Sequence, residues 1–333
     1  VGIYQIAGVQ LVDEGLASTI DDGLSQVEDL LHREVQGDYE FVTETSLHLI
    51  DAGGKRFRPL FTLVAGQIGP RAGSYDVVKA AAVVELIHLA TLYHDDVMDS
   101  ATMRRGAKSA NARWDNSVAI LTGDYLFAHA SRLVADLGPD AVRIIADTFA
   151  ALVTGQMRET RGPKPGDDPV EHYLAVVAEK TGSLIATAGR YGGMFAGCPD
   201  EQVNALWRFG EIIGAAFQVS DDVIDIASET ESSGKTPGTD LREGVPTLPM
   251  LYAMQGTDAR AARLRELLAA PIVDDDLVDE ALRLLRAGDG IARARLTLEE
   301  QARDARAELA VLPACPARDA LASLTDFVVK RTG

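Results

Sequence analysis

Cysteine is nearly absent from this 333-residue chain: only Cys198 and Cys315 occur, with no CxxC spacing and no Cys/His cluster. That excludes a disulfide-stapled scaffold and a zinc site of the usual spacing, and it suits a reducing compartment such as the cytoplasm. Aromatic residues make up 6% and prolines number 13, which fits a helical protein better than a sandwich or barrel. Positive charge is in deficit, with 32 Lys and Arg against 50 Asp and Glu and a net charge of −18. A field of that sign repels nucleic acid and anionic membrane, so nucleic acid is not an expected partner. An anionic substrate would have to be held by local cations or by bound metal. Long hydrophobic runs are scarce as well. The longest, Val77–Tyr93, carries Lys79, Glu85 and His88 and reads as a buried core helix rather than a membrane span. Val1–Gln10 is apolar but short and lacks a basic flank, so no signal peptide and no transmembrane segment are expected.

What is present is helical periodicity. Segments of roughly 15 to 25 residues are punctuated by breaks at Gly69–Ser74, Arg161–Pro169, Gly197–Asp200, Ser232–Pro246 and Ala270–Asp275. The expected fold class is all-α. Length alone favours about two domains, but no low-complexity linker divides the chain. Two related acidic clusters, Asp95-Asp96-Val97-Met98-Asp99 and Asp221-Asp222-Val223-Ile224-Asp225, each end a long apolar run. If they serve one site, a single helical bundle over residues 1–333 is favoured over two domains.

Helix geometry gives these clusters their chemistry. Positions i and i+4 share a face about 5–6 Å apart, so Asp95 pairs with Asp99 and Asp221 with Asp225, while Asp96 and Asp222 sit to one side. A carboxylate pair ending an apolar helix is costly unless it binds cations. Oxygen-only ligands favour magnesium, which is usually shared between one or two carboxylates and substrate phosphates. The blander alternative, two solvated acidic helix ends, serves one such cluster better than two.

The complementary cations lie nearby in sequence. Gly53-Gly54-Lys55-Arg56-Phe57-Arg58-Pro59 reads as a loop-to-helix junction. Its glycines permit close backbone approach, and Lys55 and Arg58 offer charge-assisted donors to phosphate oxygens. Arg104-Arg105-Gly106 follows the first acidic cluster, Lys180-Thr181-Gly182 interrupts a helical run and predicts a kink, and Lys235 lies in a Ser-Gly-Lys-Thr-Pro-Gly loop without Walker A spacing. His88 and Gln218, each upstream of an acidic cluster, are core residues or ligand contacts.

These blocks carry a family resemblance. GGKRFRP, the stretch from Val84 to Ser131, Lys180-Thr181, FQVSDDVID and GKTPGTDLREG occur in the order found in the trans-isoprenyl (polyprenyl) diphosphate synthases, over about residues 45 to 255. The resemblance implies a single all-α domain around a deep cavity, a homodimer, and magnesium as cofactor, three ions with substrate bound. It implies isopentenyl diphosphate and an allylic prenyl diphosphate as substrates, and peripheral membrane contact for release of a long product. Asp95, Asp99 and Asp221 would hold the metals. Asp96, Asp222 and Lys180 join them as catalytic candidates. Arg104, Lys180, Thr181, Gln218 and Lys235 would grip the allylic diphosphate, and Lys55, Arg58, His88 and Arg105 would bind isopentenyl diphosphate. One departure is visible: Val245 stands where many members carry lysine.

The implied reaction is allylic ionisation, attack by the isopentenyl double bond, and proton loss to the departing diphosphate, in a cavity that excludes water. Product length would depend on side chains below the metals. Ala90 and Thr91, about one turn above Asp95 in the chain, are small and would let a long tail pass, with Ile145 and Phe149 as the cavity floor. The expected product is therefore long-chain. The alternatives are a short-chain (farnesyl or geranylgeranyl) synthase and a non-catalytic subunit of a heteromeric synthase. A terpene cyclase would not need the Lys55–Arg58 cations, and a di-iron bundle would need a second copy of the Glu85-Leu-Ile-His88 spacing.

Overall fold

The computed structural model describes residues 4–6, 9–227 and 238–331. Helices dominate them. The strands among the described residues form two antiparallel ribbons, Tyr4–Ile6 (β1) with Val9–Leu11 (β2) and Met103–Arg104 (β3) with Ala107–Lys108 (β4). The second ribbon was not legible as a strand because two residues are too few to show alternation. Its turn places Arg105 and Gly106 at φ of 52° and 79°, the left-handed pair that tight hairpins favour. The described residues fall into two compact units, each discontinuous in sequence: residues up to 150, 184–210 and 309–323, and residues 151–183, 211–308 and 324 onward.

The first unit is organised around α4 (Tyr75–Met98), capped at its start by the Ser74 hydroxyl, which accepts from the Asp76 N–H at 3.3 Å. From Val77 to Ala90 this helix is buried at nearly every position. It packs against α1 (Glu14–Glu34), α3 (Phe57–Gly66) and α6 (Asn116–Ala135). Close approach of α6 requires glycine, since a Cβ on Gly123 would come within 2.3 Å of His94 Nε2. Tyr93 ties α4 to α2 (Glu40–Asp51): its hydroxyl donates to the Thr45 carbonyl at 2.5 Å and accepts from the Leu49 N–H at 3.2 Å. Among the described residues α4 is the one helix long and apolar enough to cross a membrane, but 78% of its apolar window is buried. That agrees with the expected core helix.

The second unit contains α8 (Pro169–Val177), the later turns of α10 (Asp200–Ala227), and α11 (Thr239–Glu243) through α15 (Gly290–Glu308). Asp168 starts α8 by accepting from the Val170 N–H at 2.7 Å, with Pro169 in the first turn. The break expected at Lys180-Thr181-Gly182 is a π-helical segment, Ala178–Gly182. Gly155 makes room for it, because a Cβ there would meet the Lys180 backbone nitrogen at 2.6 Å. Ile226, Leu241, Met250, Val278 and Leu282 form an apolar core around α12 (Leu248–Met254) and α14 (Asp275–Arg286).

Candidate active site

In the first unit the last turns of α4 divide into two faces. His88, Thr91, Leu92 and Asp95 are half-buried and Asp99 is exposed, whereas Leu89, Ala90, Tyr93 and Asp96 are buried. At about 100° per residue, Thr91 lies on the Asp95 face and Ala90 lies roughly 140° away. Ala90 is thus packed in the core at 1% exposure, while Thr91 occupies the open stripe. Ile145 is buried in this unit, and the Phe149 ring packs on Phe127 with centroids 4.5 Å apart.

Asp96 turns inward. It is 0% exposed, and its Oδ1 accepts from Arg104 Nε at 2.6 Å. Its Oδ2 is buried without a partner, and burial raises its pKa against the opposing pull of Arg104. Its carbonyl accepts from Asn111 Nδ2 at 3.0 Å and from the Ala101 N–H at 2.9 Å. Asp96 therefore anchors the turn after α4, leaving Asp95 and Asp99 as the outward pair.

The GGKRFRP segment does form the junction into α3, with Arg56 at φ 46°. Arg56 itself is a scaffold residue: it pairs with Glu28 and, at 3.0 Å, with buried Glu85. Glu85 also lies 3.7 Å from Arg105, so its role is counter-ion rather than metal ligand. Arg105 donates to the carbonyls of Leu49, at 3.0 Å, and Gly53. A Cβ on Gly54 would strike its guanidinium at 2.8 Å. Lys55 is exposed. Arg58 is half-buried overall, but its Nε is fully buried without a partner. Burial, reinforced by Arg105, pushes its pKa down to about 10 even with Glu85 pulling upward. His88 is held far below its ordinary pKa, first by burial and then by Arg58, Arg105, Arg56 and Arg104. Its imidazole is neutral at neutral pH. The expected isopentenyl-site residues Arg58, His88 and Arg105 thus gather in one place, with a buried N–H left for an anion.

The second unit repeats the division of labour. Asp222 is 3% exposed; its carboxylate accepts from Gln218 Nε2 at 3.0 Å and from the Tyr173 hydroxyl. The Leu248 N–H, at the start of α12, is also directed at it, yet burial raises its pKa to about 6. Asp225 accepts from the N–H groups of Thr239 and Asp240, at 3.2 and 3.3 Å, and so holds the start of α11. Asp221 is the exposed member, paired with Arg331, whose guanidinium lies over Phe217 and Phe327 at 5.2 and 5.7 Å. Lys180 is paired with Glu159. A cavity of about 370 Å³ is lined by Lys180, Thr181, Gln218, Asp222, Val245 and Leu251 among others. Thr247 Oγ1, also in its lining, is buried without a partner. Lys235 lies outside the described residues.

Tyr173, Glu159, Glu85 and Arg331 were not singled out for these roles by sequence. Tyr173 offered a faint signal, standing two turns before Lys180 on a related face; Arg331, near the chain end in a generic helix, offered none.

Among the described residues no group of three or more His, Cys, Asp or Glu side chains converges as a ready-made metal centre. The residues nevertheless fit magnesium. The outward carboxylates of Asp95 and Asp99 in the first unit, and of Asp221 in the second, would each offer the one or two protein oxygens that such an ion takes while it keeps waters and phosphate ligands. They suit a metal that arrives with a diphosphate.

A helical enzyme with acidic helix ends and a cluster of half-buried arginines is the class this geometry defines. The polyprenyl synthetase family model matches residues 39–285. Nonaprenyl diphosphate synthase of Mycobacterium tuberculosis is 60% identical, over 98% of this chain and 98% of its own. A geranylgeranyl pyrophosphate synthase from Corynebacterium glutamicum, solved with calcium and isoprenyl diphosphate, matches with a TM-score of 0.89 and 50% identity, covering 98% of this chain and 100% of that one. A decaprenyl diphosphate synthase from Rhodobacter capsulatus gives 0.88 and 34%, covering 96% and 99%. The chain belongs to the polyprenyl synthetase family and is a prenyltransferase enzyme of the isoprenoid synthase fold.

Proposed function

We propose that this chain condenses isopentenyl diphosphate with an allylic diphosphate (geranyl, farnesyl or geranylgeranyl) to give a long-chain all-trans polyprenyl diphosphate. The observation that carries the reading is the cationic cluster of the first unit. Arg58, Arg105 and neutral His88 gather there around an unpartnered buried N–H, and α4 runs from His88 to the outward carboxylates of Asp95 and Asp99. Such a cluster suits a second diphosphate, which a cyclase does not need.

Asp95, Asp99 and Asp221 would hold magnesium, which supplies charge stabilisation to the leaving diphosphate; three ions are expected. Arg104, Lys180, Thr181, Gln218 and Lys235 bind that diphosphate. Lys55, Arg58, His88 and Arg105 hold isopentenyl diphosphate so that its double bond faces the allylic carbon. Arg104 and Lys180 leave Asp96 and Glu159 to do so, exchanging one anion for another. Apolar walls exclude water, and the departing diphosphate takes the proton. The two units act as one catalytic domain over residues 1–333, in a cytoplasmic homodimer that touches membrane only to release product. Free Cys198 and Cys315 are consistent with that compartment.

Small Thr91 on the open stripe and the 60% identity to a nonaprenyl synthase favour a long product. The 50% identity to a geranylgeranyl synthase favours the short-chain reading. Chromatography of products made from isopentenyl diphosphate and farnesyl or geranylgeranyl diphosphate decides. Magnesium-dependent products beyond geranylgeranyl are expected. Hydrocarbon from the allylic substrate alone, or no product, contradicts the proposal.

A further inference from the structure

Asp222 has the residue type of a metal ligand and the surroundings of a strut. It is 3% exposed, and its hydrogen-bond donors come from two elements, α10 and α8. Gln218 Nε2, one turn earlier on α10, donates to Oδ1 at 3.0 Å. The Tyr173 hydroxyl, from α8, donates to Oδ2. The Leu248 N–H at the start of α12 also faces this carboxylate and opposes the rise in its pKa. Its oxygens are committed to these partners, while neighbouring Asp221 is exposed.

Tyr173 is the member of this group that links two expected parts of the site. It is buried at 9% exposure and lines the cavity with Lys180 and Thr181. About one and a half turns after it, its own helical run becomes the π-helical segment that carries those residues. Its hydroxyl is therefore a tie rod, with the Lys180–Thr181 segment at one end and the turn bearing Asp221 at the other.

We infer that Tyr173 is a positioning residue: by donating to Asp222 it fixes the direction of Asp221 relative to Lys180, and so sets how tightly the divalent ion at Asp221 is held with diphosphate. The inference rests on the function proposed above. Partners that orient a metal-binding residue without touching the ion commonly set affinity by 10- to 100-fold.

The test is Mn2+ binding in the presence of inorganic pyrophosphate, read from the electron paramagnetic resonance signal of free Mn2+, with unfolding temperature measured alongside. Tyr173→Phe keeps the ring and loses the donor; Mn2+ affinity should fall about tenfold. Asp222→Asn keeps the shape and can reverse the bond, its amide donating to the Tyr173 oxygen, so its affinity should stay within about threefold of wild type. Wild-type affinity in Tyr173→Phe overturns the inference. So does a tenfold loss in Asp222→Asn, which would make that carboxylate a ligand; this second variant decides alone if Tyr173→Phe does not fold. Because the readout needs no turnover, a wild-type chain that makes no product sinks the functional proposal without touching this one.

Discussion

Arg58→Met should make the protein more stable and a worse enzyme at once. In the folded chain the Arg58 guanidinium has its Nε fully buried without a partner, beside Arg105, and its pKa falls by more than two units from the ordinary arginine value to about 10. At about 1.4 kcal/mol per unit, that is a penalty of roughly 3 kcal/mol on the charged form. Both states stay protonated at neutral pH, so the cost is present in full at pH 7. Methionine keeps most of the apolar stem and removes the charge. Allowing about 1 kcal/mol for imperfect packing, a net gain of roughly 1–3 kcal/mol is expected. Urea unfolding at pH 7.5 measures it as a higher midpoint with an unchanged slope. In steady-state assays the KM for isopentenyl diphosphate should rise tenfold or more, with a smaller change in KM for the allylic substrate. A variant less stable than wild type by more than about 1 kcal/mol, or one with an unchanged KM, would refute the reading of Arg58 as an anion ligand stored at a cost.

His88 should govern part of the acid sensitivity of the fold. Its folded pKa is far below 6.5, so below pH 6.5 the unfolded chain binds a proton that the folded chain does not. Stability then falls as pH drops through that window, by up to about 1.4 kcal/mol per unit. His88→Gln should flatten the melting temperature between pH 5 and 6.5, and an unchanged slope rejects the assignment. For product length, Thr91→Phe should shorten the product with little loss of stability, since Thr91 lies on the open stripe. Ala90→Phe should shorten it only by displacing packed neighbours, at a further cost of about 1–3 kcal/mol. Unchanged products from both variants end the idea of a ruler on this helix.

Helix α4 and its terminal carboxylates were readable because an unbroken apolar run ending in Asp95 and Asp99 leaves little choice of structure. The GGKRFRP junction was readable from its glycines, and the kink at Lys180 from its poor helix formers. Helical phase also placed Asp96 and Asp222 off the metal-facing side. It could not supply their partners, because Arg104 reaches Asp96 from a hairpin of two-residue strands and Tyr173 reaches Asp222 from another helix. The partners of Arg56, which are Glu28 and Glu85, were likewise out of reach of local pattern. Spacing along α4 nominated Ala90 and Thr91 together, and only packing separates them. In each case local pattern reported which face a residue occupies, and tertiary contacts decided what that face meets.

The claim that most needs testing is that the two acidic clusters work on a single leaving diphosphate. A double-mutant cycle on turnover measures it, using Asp95→Asn, Asp221→Asn and the pair at saturating magnesium and both substrates. Groups that act as a unit are strongly non-additive. The prediction is that each single variant loses at least about a thousandfold in kcat, and that the pair is scarcely worse than the poorer single. Multiplying losses, or near-normal turnover in Asp221→Asn, would mean that the second cluster has no part in the chemistry begun at the first.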